Sequence, residues 1–569
     1  MKKLFVVGAA IAALAMFSCS KENSEPGARD KDGNLMPAGT SFASFSFNIP
    51  TSGGKAPVEF EPQAITADDI ADSKIDFTDL YMLVFDMSGT NGILEYAAPV
   101  TQNPLTKLLR AGNKKIFVLA NIGAPSASAN VQANLKSVNT STLAPSATLA
   151  PFSSLVEGST TYAEFLQIAF DAGTPQIYSV DKTGTRTYDL RPLSNRLSAT
   201  LGLPMSNSNA STFVLMANIS ETDASNAGNG TPVANGSQAY NRFVINLDYM
   251  GAKARLAMDQ SAASFVGKTT ADITLPVYSI KNLAKYTSLV QNVAGSTPQS
   301  IYHSLLPFVD GVDIPQSEFD KHFDQASTET IAVPAAPAGF IFVPENTSSS
   351  LRRGQSSFYA LNVTYKPKFI VTEASWDVLA LNANKVTAVT KTYDAATVGG
   401  VANPGGLDGG NKYIYDQTGV TDKNNVTCNF FANLRVYADM VWMTTYNMPM
   451  TDPSYSQAAA YALVGNDPGT GFVFIDPKVR IFTDAQSWYR IDIGETINAT
   501  TTKYGVLRSN AYTATINDIS GPGLPTEGEL FTGIGDDDNP EDPLDALTFV
   551  DVTIVPAIWH PIYQITTLK

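Results

Sequence analysis

The chain has little of what most enzymes and metalloproteins are built from. Its 569 residues include two cysteines, three histidines and four tryptophans, and only 16% are charged. The histidines, His303, His322 and His560, have no neighbour at metal-ligand spacing such as His-x-x-x-His, so a zinc site would lack its usual local signature. There is no Walker loop, no Gly-x-Gly-x-x-Gly after a strand and no Gly-x-Ser-x-Gly elbow. Cys428 sits in no catalytic-thiol signature. Together these absences argue against an enzyme, and no cofactor or metal is expected. Basic residues are outnumbered 38 to 53, for a net charge of −15. That disfavours nucleic acid as a partner, because phosphate contacts need clustered Lys and Arg.

Thr, Ser, Ala, Asn and Gly are plentiful instead, as in strands joined by long polar loops. The last twenty residues are the most informative. Val550, Val552 and Ile554 alternate with Asp551, Thr553 and Val555, the period-two pattern of a strand with one buried face. Pro556 and Pro561 then interrupt it, and proline donates nothing to a ladder. Trp559, Tyr563, Ile565 and Leu568 are nonetheless apolar enough to need cover. Two readings follow: a strand donated to another molecule, or a last strand folded back on its own sheet.

The opposite terminus carries Lys2 and Lys3, then an apolar run from Leu4 to Phe17, too short to span a bilayer stably. It ends at Ser18-Cys19, which resembles the lipobox of bacterial lipoproteins. That resemblance implies cleavage between Ser18 and Cys19 and lipidation of Cys19, as an anchor worth about 0.8 kcal/mol per buried CH₂. An acylated Cys19 leaves Cys428 without a disulfide partner. Residues 20–40 read as a polar tether. Ala43, Phe45, Phe47 and Ile49 then alternate with Ser44, Ser46 and Asn48, a half-buried strand. The loop Pro50-Thr-Ser-Gly-Gly-Lys-Ala-Pro57 follows, small-residued and exposed in character, the kind of tip that proteases cut.

Further strands are expected at Leu80–Phe85, Lys115–Asn121, Leu197–Leu203, Phe213–Met216, Phe243–Leu247, Ala252–Met258, Ile273–Asn282, Gly339–Glu345 and Phe358–Tyr365, and strands or short helices at Asn433–Met443, Gly471–Phe474 and Trp488–Ile493. Residues 124–165 read as helical or loop decoration, and the glycine-rich stretch 395–411 as a loop. The low-complexity stretch 221–238 suggests a domain boundary near 240. Asp536-Asp-Asp-Asn-Pro-Glu-Asp-Pro543 reads as a solvated hinge. Its carboxylates admit calcium but lack EF-hand spacing.

Several motifs, in order along the chain, resemble one family. They are the lipobox with Ser20-Lys21-Glu22; Ala111-Gly-Asn-Lys-Lys-Ile-Phe-Val-Leu-Ala-Asn-Ile122; Lys253-Ala-Arg255; Phe342-Val-Pro-Glu-Asn-Thr347 with Ser357–Val363; and Arg508-Ser-Asn-Ala-Tyr512 with Ile516, Ile519 and Gly523-Leu-Pro525. The acidic hinge and Val550–Ile554 with Trp559, His560 and Tyr563 complete the series. It resembles the fimbrillins of Bacteroidales, the type V pilus shaft subunits, nearest the minor-fimbrium shaft group of Porphyromonas.

The resemblance implies a mostly β fold of two transthyretin-like β-sandwich domains in tandem, with long loops and a few short helices. Its expected division is 1–18 signal peptide, 19–55 lipid tether and removable strand, 56–240 first sandwich, 241–540 second sandwich, and 541–569 hinge and donor segment. It further implies a precursor held by lipid at the outer membrane, whose strand (Ala43, Phe45, Phe47, Ile49) is lost when a trypsin-like protease cuts the next loop. The C-terminal segment of a second copy (Val550, Val552, Ile554, Trp559, Tyr563, Ile565, Leu568) then fills the groove. The family's cut follows an arginine. Here Lys55–Ala56 is the expected site, because Arg29 precedes the strand. Implied partners are further copies of the chain, fimbrial anchor and tip subunits, the protease, and a host or bacterial surface receptor.

Two other readings remain open. A tip or accessory adhesin would keep its C-terminal segment within its own fold. A lipid-anchored glycan-binding protein would need an aromatic platform, for which Trp376, Trp442 and Trp488 are the candidates.

Overall fold

A computed structural model describes residues 29–48, 80–120, 135–137, 150–151, 154–171, 177–180, 186–189, 204–207, 212–259, 261, 265, 271–294, 297–299, 316–324, 330–347, 353–367, 369–370, 376–379, 384–386, 391–392, 397–398, 401–402, 415–416, 428–430, 442, 446, 448, 451–463, 479–482, 485–498, 501–519, 521–532 and 550–558. Of the expected elements, Leu197–Leu203 and Gly471–Phe474 lie outside these residues, as does Asn433–Met443 apart from Trp442.

The elements that matter here are β1 (Thr40–Asn48), β2 (Leu80–Asp86), β3 (Ile93–Pro99), β4 (Leu105–Arg110), β5 (Gly112–Ala120), α1 (Tyr162–Leu166), β6 (Met205–Ser206), β7 (Thr212–Leu215), α2 (Glu221–Ser225), β8 (Arg242–Asn246), β9 (Asp248–Tyr249), β10 (Gly251–Ala257), β11 (Ala271–Lys281), β12 (Ile341–Pro344), β13 (Phe358–Pro367), β14 (Gln486–Asp492), β15 (Asn510–Ile519) and β16 (Val550–Ile558). The fold is mostly β, with short helices. No described helix is long and apolar enough to cross a membrane.

The first unit is a sandwich. One sheet runs β8-β1-β4; the other is built on β5, with β2 and then β3 along one side and β7 and β6 on the other. Ala43, Phe45 and Phe47 of β1, Leu105 and Leu109 of β4 and Phe243 and Ile245 of β8 face Met82, Val84, Ile116, Val118 and Phe213 in one core. α1 covers the outer face of the second sheet. Thr161 caps it and Glu164 returns the bond, so both ends of a capping box are closed. Its Phe165 ring then seats 5.1 Å from Phe85 and 4.7 Å from Phe117.

The second unit repeats the plan. Sheet β12-β10-β15-β16 packs against the sheet containing β11-β13-β14. Ala254, Leu256, Tyr512 and Ile516 meet Tyr278, Ile280, Tyr359, Leu361 and Ile491 between them. The first core takes in Phe243, Ile245, Leu247, Tyr249 and Met250, and the second opens at Ala252. The changeover thus lies between Met250 and Ala252, later than the boundary expected near 240. The low-complexity stretch is held in the first unit by α2 and by the short strand Gly236–Ser237 against β7.

At the junction of the units Arg508 and Glu345, both of the second unit, form a buried ion pair, with Arg508 Nε 2.9 Å from Glu345 Oε2, and Arg508 Nη1 reaches Ser206 Oγ of the first unit at 3.5 Å. Arg508 Nη2 also donates to the Ser288 carbonyl, and Ser206 of β6 donates to the Leu289 carbonyl. Beside them Ser509 N donates to Gly251 O. A side chain at Gly251 would strike Val343 O at 2.5 Å and the Phe342 ring at 2.6 Å, so this approach requires glycine.

Candidate functional site

The strand expected to be removable, β1, is a middle strand. On one side it pairs in parallel with β8, from Ser44 opposite Arg242 to Asn48 opposite Asn246. On the other it pairs antiparallel with β4, from Thr40 opposite Arg110 to Phe45 opposite Leu105. Alternation sets its faces. Ser41, Ala43, Phe45 and Phe47 point into the core, with Phe45 fully buried and Phe47 3% exposed. The Phe45 ring stacks on Phe243 at 6.0 Å, and Phe213 meets Phe243 edge-on at 5.3 Å. On the other face Ser44 and Phe42 are also buried, and α2 lies over β1 and β4. Burying each phenylalanine contributes roughly 1.5–3 kcal/mol.

Both ends of β1 are finished by asparagine side chains. At Phe47, Asn103 accepts from the backbone N–H (3.2 Å) and donates to the carbonyl (3.4 Å), continuing the ladder beyond β4. At the other end Asn241 is left-handed, φ 52°, a conformation asparagine tolerates better than most residues. Its buried Nδ2 donates to Ser41 Oγ (2.8 Å), Phe42 O (3.0 Å) and Met216 O (2.8 Å). Its Oδ1 accepts from Met216 N, and its own carbonyl accepts from Ser44 N. Ile219 N donates to Ser41 Oγ at 3.0 Å, and Ile219 O accepts from Phe42 N. Residues 29–39, expected as tether, form a compact turn before β1. Asp30 accepts from the backbone of Asp32 and Asn34 and from the Asn34 amide, which hold its carboxyl below the usual range.

The wall of the slot is tied to the second sheet by charge. Lys114, fully buried, lies 3.0 Å from Asp86 Oδ1 and 2.7 Å from Glu95 Oε2, and Glu95 Oε1 also accepts from Arg110 N of β4. Burial by itself raises the Asp86 carboxyl. The bonds from Lys114 and the Ser88 backbone outweigh it and leave Asp86 below the usual value of 3.8.

The structure brings Ala43, Phe45 and Phe47 together, but Ile49 lies outside the described residues. So do Ser18, Cys19, Lys55, Ala56, Trp559, Tyr563, Ile565, Leu568 and the aspartates of the acidic hinge. Val550, Val552 and Ile554 fall in β16, antiparallel to β15 and at the edge of the second unit's own sheet; Pro556 stands opposite Tyr512. Trp442 is 2% exposed and packed against Tyr446 and Tyr455, so it is core and no platform. Trp488 is half-buried on β14, where its backbone exchanges hydrogen bonds with Leu524. The Trp376 side chain lies outside the described residues. Among the described residues no group of three or more His, Cys, Asp or Glu could hold a metal ion.

Sequence reasoning missed β4, because Lys107 occupies an inward-facing place between Leu105 and Leu109 and breaks the alternation. It also missed Asn241 and Asn103. A Tyr-Asn pair closing a Gly/Asn-rich stretch, and an Asn-Pro before a strand, were the available signals.

No family model matches the chain, and no curated protein does. Among solved structures, a candidate cell adhesion protein of Parabacteroides distasonis is similar at 13% identity over 92% of this chain and 99% of that one, with a TM-score of 0.39. A second from the same organism gives 10%, 95%, 99% and 0.35. A tip fimbrial protein of Porphyromonas gingivalis, truncated at its C-terminus, gives 12%, 91%, 98% and 0.29. Likenesses of this degree carry no conclusion about function.

Proposed function

We propose that the chain is a polymerising shaft subunit of an adhesive surface fimbria, exported as a lipoprotein precursor and assembled by strand exchange. The observation that carries this reading is the place of β1, between β8 and β4. A terminal strand in the middle of a sheet is unusual cargo to discard. Its loss opens two rows of unpaired backbone groups and an apolar trough, which only another strand can satisfy. The loop expected to be cut, with Lys55–Ala56, follows β1 directly in sequence. The donor in this reading is the segment 541–569 of a second copy. A head-to-tail contact of that kind does not close on itself, so it propagates a filament. The precursor waits on the outer membrane, held through Cys19. Anchor and tip subunits, a trypsin-like protease and a surface receptor complete the proposed partners.

The pairing of β16 with β15 favours a second reading, a tip or accessory adhesin that keeps its last strand. N-terminal sequencing of the protein sheared from cells, beside a Lys55→Ala variant, separates the two. The shaft reading expects a mature chain starting at Ala56 and a variant that stays monomeric and lipid-anchored. A surface chain that still begins at Cys19 with its lipid contradicts it.

A further inference from the structure

Alternation fixes the register of β1 only to odd or even. A slide of one residue turns every core side chain outward, but a slide of two keeps Phe faces inward and is not forbidden by pattern. The neighbours offer no turn to prevent it, since β8 and β4 both lie far from β1 in sequence. Something in the slot has to tell Ser41 from Ala43.

Asn241 does this chemically. Its Nδ2 and the Ile219 N–H converge on Ser41 Oγ at 2.8 and 3.0 Å, in a place where both Ser41 and Asn241 are fully buried. Of the three residues that two-residue slides can bring there, Gly39, Ser41 and Ala43, only serine carries an oxygen. Either slide takes the shared oxygen from the Asn241 amide and leaves the half-buried Ile219 N–H without its acceptor, which is unfavourable. Asn103 cannot do the same, because it bonds only the backbone of Phe47 and accepts any residue.

We propose that Asn241 is the positioning residue that sets the register of whichever strand fills the slot, by requiring a hydroxyl side chain at the Ser41 place. For the incoming strand this rests on the strand-exchange reading above. The stretch Thr548-Phe-Val-Asp-Val-Thr-Ile554 then matches Ser41-Phe-Ala-Ser-Phe-Ser-Phe47 in the same direction, with Thr548 offering the hydroxyl and Val550, Val552 and Ile554 following Ala43, Phe45 and Phe47.

The test uses the full chain with Cys19→Ser and Cys428→Ser. Thr106→Cys is combined either with Ser44→Cys, its partner in register, or with Ser46→Cys, which comes opposite Thr106 when Ala43 slides to Asn241. The unaltered slot cross-links through position 44. Ser41→Ala, and separately Asn241→Gly, which keeps the left-handed backbone and removes the amide, raise the ratio of shifted to in-register cross-link about tenfold. An unchanged ratio in Ser41→Ala, the milder variant, overturns the proposal. In assembly, Thr548→Val slows filament growth severalfold while Val552→Thr, which leaves the hydroxyl position alone, does not slow it in the same way. Equal effects overturn the match to Thr548. If the unaltered chain forms no filaments, the exchange reading fails by itself, and the cross-link ratio still decides the role of Asn241.

Discussion

β1 and β16 look alike as sequences: each is nine residues long and alternates apolar and polar residues over five of them, Ala43–Phe47 and Val550–Ile554. They occupy opposite kinds of place. β1 lies between two neighbours and has no proline. β16 lies at the edge of its sheet, on β15 alone, and carries Pro556 within it. Alternation reports one buried face and is silent about how many neighbours a strand has. Proline reports that, because a missing N–H is tolerated only where no partner strand waits for it. The strand expected to leave is therefore the one held on both sides, and the strand expected to travel is the one held on one side. Removing β1 by cutting the loop after it does not remove any contact that β1 makes. In this account its departure requires a competitor.

The sharpest break of the comparison is in the trough. Phe45→Ala leaves a cavity against Phe243 and lowers unfolding free energy of the precursor by about 3–5 kcal/mol, measured by denaturant titration. Next is Ser46→Pro, which removes a ladder N–H from a strand with neighbours on both sides and orphans its acceptor; a loss of about 1–3 kcal/mol is expected. Ile554→Pro places a second proline two residues before Pro556, at the same point of the edge strand's hydrogen-bond alternation, and costs less in the same titration. Acid should act on the first unit. The Asp86 carboxyl is depressed in the folded chain, so its contribution is present above 3.8 and is lost as pH falls through the lower folded value. Asp86→Asn removes that acid-side loss, and the pH dependence of the unfolding midpoint shows it. An unaltered slope would mean that Lys114 is held by Glu95 alone.

Much of this architecture was legible. β2, β5, β8, β10, β11 and β13 lie within a few residues of where their patterns place them, because each has one or two buried faces in an apolar run. β3 and β15 were not. Six of the ten residues of β15 are buried, four of them in a row from Ala511 to Ala514, and its pairing with β16 is shifted between Ile516 and Asp518, so no period-two signal survives. The core-facing members of the site, Ala43, Phe45 and Phe47, could be read from one segment. Its middle position in the sheet could not, since that depends on Lys107 being carried inward on β4 and on β8, about 200 residues away. Asn241 was invisible for the same reason. Its chemistry depends on Ser41, 200 residues away, and the Tyr-Asn pair that closes the polar stretch says nothing of that partner.

The central claim is that β1 stays until another strand takes its place. The measurement is made on purified precursor cut within residues 49–57, following the fragment that carries Thr40–Asn48 by native mass spectrometry as filaments grow. The account predicts that the fragment remains on every nicked monomer and is released one for one as subunits join. Filaments that retain the fragment, or monomers that lose it without joining, would contradict it.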